Sequence, residues 1–273
     1  MGNDAVFEQA LAFLESFRIH NPRLKLAMIP FADDIQKIER LAPIFDFEIL
    51  KLDTSRWDEM AHDFYPGVET KYKNRLRKLA IFDLDHPAVM YIDLDTVILQ
   101  DLTFVAEKLC NDSVDFICTA IKNDPWVYNE KFKTHAQFAQ SKRFSDGFFA
   151  FNARKIGHKA YTILRDNKAL YYDVRATDVY SQPATNFVVD MLGLRVAEVY
   201  RIYPNVSPQT WYAGRLTEVD GTVLSQDGGR VLFVHWAGPV DFTRDFKLKS
   251  LFEHFQIAAR ARIAEFSAVK DRQ

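Results

Sequence analysis

The first half of the chain alternates between segments with helical and with strand-like apolar spacing. Residues 4–20 place apolar side chains at helical intervals, and Asn21-Pro22 ends this first helix. Further segments follow in the order strand 24–31, helix 33–41, strand 45–52, helix 70–84 and strand 89–94. Strands that alternate with helices usually pair in parallel, so this order favours an α/β fold with parallel strands.

The second half is less regular. Its patterns predict strands at 144–152, 195–200 and 230–235 and helices at 154–168, 176–192 and 244–268. Pro183 must start or kink the helix of 176–192. Residues 204–229 are rich in Pro, Gly, Thr and Ser, which predicts loops. Neither a repeat nor a low-complexity linker marks a boundary, so a single domain is expected.

Charge and cysteine content exclude several classes of protein. The 273 residues carry 35 basic and 37 acidic side chains, without the basic excess of most nucleic-acid binders, so no nucleic-acid partner is expected. No apolar run approaches the roughly 20 residues of a membrane span, and the first residues lack a signal-peptide pattern. The only cysteines, Cys110 and Cys118, suit a reducing cytosol. A cytoplasmic protein without a transmembrane segment is therefore expected.

The segment from Tyr91 to Asp95 brings two carboxylates, Asp93 and Asp95, to the end of an apolar strand. Alternate residues of a strand share a face, and open α/β sheets bind ligands beyond the carboxyl ends of their strands. Two carboxylates there repel each other unless a cation lies between them. A Mn²⁺ or Mg²⁺ ion would bind both and keep coordination positions for phosphate oxygens. The alternative is a solvated strand end at which two aspartates begin a turn.

A second Asp-Leu-Asp sequence runs from Asp83 to Asp85, directly before His86-Pro87. It follows a predicted helix rather than a strand. We interpret it as a helix stop in a solvated turn, without a role in metal binding.

Two kinds of enzyme use an aspartate pair of this type. In transfer from a nucleotide diphosphate sugar, a metal on the pair neutralises the departing diphosphate. In phosphatases of the haloacid dehalogenase type, the first aspartate is the nucleophile and the second the acid, and Asp93, Asp95 and Val97 also meet that signature. Such phosphatases carry the pair near the chain start and a later acidic Gly-Asp-type motif, and this sequence has neither feature. The phosphatase is therefore the second hypothesis.

Four sequence blocks follow one another in a characteristic order. They are 77–82 with the strand 89–95, then 144–152, then Ser181-Gln182-Pro183-Ala184-Thr185-Asn186, and finally Val234-His235-Trp236-Ala237-Gly238-Pro239. In this order, over about residues 3 to 245, they resemble the retaining glycosyltransferases of family 8, the group that includes glycogenin and lipooligosaccharide galactosyltransferases. The matching family features are a Lys-Leu block before Asp-x-Asp, a Phe-Asn-Ser/Ala-Gly strand, an Asp-Gln-x-x-x-Asn helix and a His-x-x-Gly strand end.

The resemblance implies a GT-A fold, a Rossmann-like mixed sheet flanked by helices, in one domain over 1–273. The nucleotide-binding half would be about 1–110, the acceptor and sugar half about 111–243, and the C-terminal helix 244–273. It also implies a hexosyltransferase of polysaccharide biosynthesis. Such an enzyme would move a hexose from a UDP-sugar to a saccharide or glycolipid acceptor with retention, using Mn²⁺ or Mg²⁺.

The same resemblance assigns site residues. The metal ligands would be Asp93, Asp95 and His235, and the catalytic residues Gln182 and Asp146. The donor-binding residues would be Lys78, Arg75, Asp93, Leu94, Ser145, Asn186 and Gly238. Arg77 competes with its neighbours for the role of the family lysine, because the alignment can slip by one residue there. Ordinary structural roles stay open: a solvated helix face for Lys78, a helix cap for Gln182 and Asn186, and a core histidine for His235.

The chain departs from the family at several positions. Ser181 replaces the family aspartate before the glutamine, while Asp146 stands where the family has a small residue. A carboxylate is thus expected to have moved across the pocket. Asp241 replaces a lysine that would bind diphosphate, and candidates to substitute for it are Arg244, Lys247 and Lys249. A degenerate protein that only binds nucleotide or sugar is therefore the third hypothesis.

Both ends of the sequence leave alternatives open. The family usually has a strand before the equivalent of Asn3-Asp4, and this chain begins at the turn after it. A misassigned start, a trimmed N-terminus and a sheet without its first strand are the three explanations. The predicted C-terminal helix carries an apolar stripe among basic residues. It would either contact the inner face of a membrane peripherally or pack on its own domain.

Overall fold

A computed structural model describes residues 1–111, 114–120, 126–176, 181–203, 205–207, 212–219, 221–238 and 240–270, apart from the side chains of Lys71 and Ala120. Residues 177–180 of the predicted helix 176–192, and Pro239 of the His-x-x-Gly block, lie outside the described residues.

Helices and strands alternate through much of the chain. The helices are α1 Phe7–His20, α2 Gln36–Glu39, α3 Ala42–Phe45, α4 Ser55–Phe64, α5 Thr70–Lys73, α6 Thr103–Cys110, α7 Ala153–Ile156, α8 Lys159–Asp166, α9 Lys168–Val174, α10 Ser181–Met191, α11 Val199–Ile202 and α12 Lys249–Lys270. The strands are β1 Leu26–Met28, β2 Phe47–Ile49, β3 Val89–Ile92, β4 Thr96–Ile98, β5 Phe116–Ala120, β6 Phe144–Phe151, β7 Val196–Glu198, β8 Leu216–Val219, β9 Thr222–Ser225 and β10 Phe233–His235. Short 3₁₀ helices lie at Asp4–Val6, Asn74–Asp83, Glu130–Thr134, Ala136–Phe138 and Ala213–Arg215.

The predicted helix 70–84 differs from the structure in kind. It is one turn of α-helix, α5, followed by a ten-residue 3₁₀ helix, Asn74–Asp83. The buried side chains of Leu76, Leu79 and Phe82 recur every third residue, the spacing that aligns side chains on one face of a 3₁₀ helix. Lys78 is buried in the same segment, so it does not lie on a solvated helix face.

The chain folds into two compact units. Unit 1 comprises Met1–Lys51, Ile92–Phe104 and Tyr203–Gln273, and unit 2 comprises Leu52–Tyr91 and Val105–Ile202. In unit 1, β1 pairs with β2 in parallel, β10 pairs with β4 antiparallel, and β8 and β9 form an antiparallel hairpin. Its core includes apolar side chains of α1, β4, β10 and α12, among them Ala12, Val97, Val234, Trp236, Phe252 and Phe255.

Unit 2 contains a four-stranded sheet in the order β3–β6–β5–β7. All eight residues of β6 are buried, and Phe149 of this strand stacks on Tyr91 and Phe116. β5 is parallel to β7 but antiparallel to β6. The parallel pairing that the alternating order favoured is present in β1–β2 and β5–β7, whereas β6 and β10 run antiparallel to their partners β5 and β4. The predicted mixed sheet flanked by helices is confirmed.

The stretch 204–229, predicted as loops, contains the β8–β9 hairpin, so this prediction is wrong. The two strands pair with Val219 opposite Thr222, and Gly221 has a φ of 75°. An Asp-Gly pair between two short runs of β-branched residues is a strong hairpin signal. The Pro, Gly and Ser content of the whole stretch masked that local signal.

The first residues of the chain lie beside β1. Gly2 forms a parallel bridge with Pro30, its N–H donates to the Ile29 carbonyl at 3.1 Å, and its carbonyl accepts from Phe31. The backbone at residue 2 thus pairs with the segment that directly follows β1. Among the described residues, no helix has the length and apolarity needed to cross a bilayer.

Candidate active site

The Asp-x-Asp segment lies in a bend between two strands of the chain. β3 ends at Ile92 and β4 begins at Thr96, so the predicted strand 89–94 is two residues too long. Asp93, Leu94 and Asp95 form the bend between the two strands. Leu94 is buried, and its Cδ1 lies 2.4 Å from where a Cβ on Gly2 would be. A larger residue at position 2 would therefore displace the Leu94 side chain. Leu94 therefore anchors the bend, while the carboxylates on either side of it stay about 30% exposed.

β10 brings a histidine to the same bend. Its register with β4 places His235 opposite Thr96, and the Trp236 N–H donates to the Asp95 carbonyl at 3.0 Å. Buried Val97 and Val234 face each other in this pairing, so a register slip would expose both of them. His235 is only 4% exposed, which leaves its imidazole little freedom.

The three polar groups converge. His235 Nε2 lies 3.2 Å from Asp95 Oδ1 and 3.9 Å from Asp93 Oδ2, and one ligand atom from each residue lies within 4.8 Å of the others. Two carboxylates and an imidazole are oxygen and nitrogen donors that suit Mn²⁺ and related divalent ions. The arrangement of these residues therefore fits a divalent metal.

A buried hydroxyl adjoins these ligands. Thr96 is fully buried, and within the described ranges its Oγ1 has no hydrogen-bond partner. A buried hydroxyl without a partner costs about 1–3 kcal/mol, so such an atom beside His235 favours a polar ligand at this place.

Unit 2 holds a separate buried polar cluster centred on Asp146. Lys78 Nζ donates to its carbonyl at 3.0 Å and to its Oδ2 at 3.1 Å, and Ser181 Oγ donates to the same Oδ2 at 2.6 Å. Lys78 Nζ also lies 4.5 Å from the ring centre of Tyr91. Within the described part of the chain, Oδ1 of Asp146 accepts no hydrogen bond, so one carboxylate oxygen stays available to a ligand.

α10 supplies the other polar side chains near Asp146. Gln182 Oε1 accepts from the Asp146 N–H at 3.4 Å. Asn186 Oδ1 accepts from the Phe144 N–H at 2.9 Å, and Asn186 Nδ2 donates to the Phe144 carbonyl at 2.9 Å. Asn186 Nδ2 also donates to the Gln182 carbonyl one turn earlier in α10. Ser145 Oγ accepts from the Gly147 N–H at 3.3 Å. Asn186 thus ties α10 to the start of β6.

The remaining predicted donor residues lie in different surroundings. Arg75 is exposed and stacks over the Tyr72 ring, whereas Arg77 forms two hydrogen bonds to Asp58, at 2.7 and 3.0 Å. Gly238 follows β10 in unit 1 with a φ of 101°, a conformation that favours glycine. Of the three neighbouring basic residues, the structure brings Lys78 to Asp146.

Asp241, at the position where the sequence resemblance predicts a lysine, lies in the loop after β10. The Thr243 hydroxyl donates to this carboxylate at 2.6 Å and lowers the pKa of Asp241, and Arg244 Nε lies 3.0 Å from it. Lys247 reaches the Gly214 carbonyl, and Lys249 reaches the Arg244 carbonyl. All three substitute cations contact groups of unit 1.

The second Asp-Leu-Asp sequence lies in unit 2. Asp83 is the last residue of the 3₁₀ helix and pairs with Arg56 and His158, and its side chain is 16% exposed. Asp85 is 87% exposed and pairs with Arg154. The interpretation as a helix stop holds, but Asp83 is ion-paired rather than solvated.

Comparison with known proteins identifies the type of fold. No family model matches the sequence, and no curated protein matches it. Solved glycosyltransferases, in contrast, share its architecture, and the fold is a GT-A fold. Because the sequence identities are low, this likeness concerns the fold alone.

Three solved structures illustrate the match. The galactosyltransferase LgtC, solved with donor and acceptor sugar analogs, has a TM-score of 0.63 and 13% identity, covering 95% of this chain and 94% of LgtC. The bifunctional glycosyltransferase WbbM has a TM-score of 0.60 and 12% identity, covering 96% of this chain and 50% of WbbM. Mouse xyloside xylosyltransferase 1 has a TM-score of 0.51 and 13% identity, covering 85% of this chain and 93% of that enzyme.

Proposed function

We propose that this chain is a divalent-metal-dependent, retaining glycosyltransferase of family 8. It would move a hexose from a UDP-sugar to a saccharide or glycolipid acceptor. The observation that carries the proposal is the meeting of Asp93, Asp95 and His235 in a chain with a GT-A fold. The phosphatase hypothesis is not favoured, because the structural neighbours are glycosyltransferases.

The metal ligands would act on the donor diphosphate. A bound Mn²⁺ or Mg²⁺ would neutralise charge on the departing UDP. Asp93 and Asp95 keep partly exposed carboxylates, and the Trp236–Asp95 backbone bond holds the second of them in place. Buried His235 orients its Nε2 toward both, which pre-organises the ligand set.

The Asp146 cluster would act on the sugar. As the bond to diphosphate breaks, the sugar takes on positive charge, which a fixed carboxylate stabilises. Lys78 and Ser181 hold Oδ2 of Asp146, and Oδ1 is left for the ligand. We assign catalysis to Asp146 with Gln182, and donor binding to Lys78, Arg75, Leu94, Ser145, Asn186 and Gly238. A cytoplasmic location and membrane contact through α12 stay predictions.

Thermal melting with nucleotide and metal tests the proposal. UDP, GDP and CDP are each added with Mn²⁺, with Mg²⁺ or with chelator, to the native protein and to Asp95→Asn. Ligand at 100 times its Kd adds about 2.7 kcal/mol to the free energy of unfolding, which raises Tm by several degrees. We expect this rise only with UDP and metal together, and its loss in Asp95→Asn.

The matched control is Asp85→Asn, which makes the same change in the other Asp-Leu-Asp sequence. Its carboxylate is 87% exposed and pairs with Arg154, so the variant should keep the full shift. An absent shift with every nucleotide, or an equal shift in Asp95→Asn, would refute the assignment of the metal site. If the melting temperature rises with UDP and metal but the protein releases UDP from none of the UDP-hexoses, the third hypothesis is supported, in which the protein binds nucleotide or sugar without activity.

A further inference from the structure

A row of three side chains crosses neighbouring strands of unit 1. His235 on β10 pairs with Thr96 on β4 and, through an isolated parallel bridge, with Tyr212. Residues paired across neighbouring strands project their side chains to the same face. His235 is the middle member of this row, so Thr96 and Tyr212 flank the imidazole.

The backbone bonds show how close two members of the row lie. The N–H of Trp236 donates to Asp95 and the N–H of Leu99 donates to Leu232. These bonds make Thr96 and His235 a non-hydrogen-bonded pair, the kind in which opposite side chains approach most closely.

The row faces away from the core of unit 1. Val97, Val234 and Trp236 alternate with members of the row along their strands, and all three belong to the hydrophobic core. The opposite face therefore carries Thr96, His235 and Tyr212. It is on this face that Asp93 and Asp95 approach His235 Nε2.

The Tyr212 ring is held in position and partly open. It is 36% exposed, in contrast to the buried imidazole beside it. A Cβ on Gly214 would lie 2.7 Å from Cε1 and 3.0 Å from Cζ of the ring, so a larger residue at 214 would displace the ring from this position. An aromatic ring supported on one side is a ready surface for a flat ligand.

We propose that Tyr212 is a specificity-determining residue that stacks against a pyranose ring of the sugar substrate. The inference rests on the proposed function. An aromatic face is electronegative, and the C–H face of a pyranose presents weakly positive hydrogens to it. The Tyr212 backbone lies one strand from His235, and neighbouring strands are about 4.8 Å apart in the pairing direction, so the Tyr212 side chain extends from the strand next to the proposed metal site. The pyranose would be the donor hexose or the acceptor saccharide.

Binding measurements on matched variants test this role and separate the two sources. Calorimetry with Mn²⁺ compares UDP, UDP-glucose and UDP-galactose, and ligand-observed NMR follows glucose, galactose and lactose with UDP and Mn²⁺ present. We expect Tyr212→Ala to raise about tenfold the Kd of either the UDP-hexoses or the free saccharides, and to leave the Kd of UDP unchanged. Tyr212→Phe should retain binding, and Gly214→Ala should weaken it by displacing the ring. Phe266→Ala, an exposed aromatic on α12, should change nothing.

Each result decides the proposal. A loss confined to UDP-hexoses identifies the donor sugar, and a loss confined to free saccharides identifies the acceptor. Equal weakening of UDP and UDP-hexoses would overturn the proposal, because the ring would then contact the nucleoside. Unchanged binding in both arms, with Tm and circular dichroism intact, would overturn it as well. Failure of the native protein to bind UDP with Mn²⁺ refutes the proposed function instead.

Discussion

Asp146 is tied into a buried network through Oδ2, whereas its Oδ1 accepts no hydrogen bond from the residues that the structure describes. Ser181 Oγ lies 2.6 Å from Oδ2, so an aspartate at residue 181 would bring a carboxylate to nearly the same place, close to Lys78. An aspartate at either position, 146 or 181, is therefore expected to supply the carboxylate beside Lys78. The sequence marked Ser181 only as the place of a missing carboxylate, and its hydrogen bond to Asp146 is known from the structure alone.

The exchange gives a first prediction at the residue scale. Asp146→Ser should lower kcat about 10²-fold or more by removing the charge proposed to stabilise the transition state, and leave the Kd of UDP unchanged. Asp146→Ser with Ser181→Asp should recover much of that loss. Ser181→Ala, which keeps the carboxylate, should have the smallest effect. Steady-state kinetics with the UDP-hexose found active measures all three, and no recovery in the double variant would contradict the exchange.

A second prediction concerns Asp190, at the end of α10 in unit 2. Burial raises the pKa of this carboxyl from its usual 3.8 to about 6, against the opposing effect of the Tyr128 hydroxyl that donates to it at 2.7 Å. Its protonated form is favoured in the folded state. The free energy of unfolding should therefore fall as pH rises from about 4 to 6 and stay level above that, with a total change of about 3 kcal/mol.

Asp190→Asn isolates this titration, because every other group is shared with the native protein. The variant should gain about 3 kcal/mol relative to the native protein between pH 4 and pH 8. Urea unfolding at several pH values measures the difference. A difference that does not change with pH would show that Asp190 keeps an ordinary pKa in the fold.

At the scale of elements, α1 and α12 are joined by two ion pairs of unequal burial. Arg262 forms two hydrogen bonds to Glu15, at 2.7 and 2.9 Å, and Glu15 is 4% exposed. Arg260 contacts Glu8 at 2.7 Å, but both partners are about half exposed. Although the two arginines lie on one helix, only the first pair protects a buried charge.

Removing each arginine should therefore cost different amounts. Arg262→Ala leaves the Glu15 carboxylate buried without its cation, which should destabilise the protein by about 2–4 kcal/mol. Arg260→Ala breaks an exposed pair and should cost about 0.5 kcal/mol or less. Chemical denaturation compares them, and equal losses would mean that the burial of Glu15 does not govern the contact.

At the scale of the whole molecule, unit 1 is assembled from three segments distant in sequence. β4 belongs to the middle segment, while its partner β10 and the helix α12 belong to the last. All three residues of β4 are buried, so this strand needs the last segment for its hydrogen bonds and for part of its cover.

A fragment of residues 1–202 should consequently fail to form a stable unit 1. It lacks β10 and α12 and would expose the apolar side chains of α1 and β4 that pack in the core. We expect weak dispersion of amide and methyl NMR signals from 1–51 and 92–104, and no cooperative melt for them. Sharp, native-like signals from these residues would show that the first two segments suffice.

Local patterns in the chain determined much of the fold and part of the candidate site. Apolar spacing predicted α1, β6 and α12, because the burial of these elements follows directly from side-chain periodicity. An apolar strand followed by Asp93 and Asp95 predicted a cation site without any knowledge of pairing. The hairpin β8–β9 was missed, although its Asp-Gly signal is local.

Tertiary structure decided everything that depends on distant pairing. Three features depend on residues that are far apart in the chain. They are the antiparallel pairing of β6 and β10, the packing of Leu94 against Gly2, and the hydrogen bond from Ser181 to Asp146. Tyr212 carried no signal in the sequence, and only its bridge to His235 brings it beside the candidate metal ligands. Periodicity records which side of an element is buried, whereas the partner across the sheet is set by the packing of the whole unit.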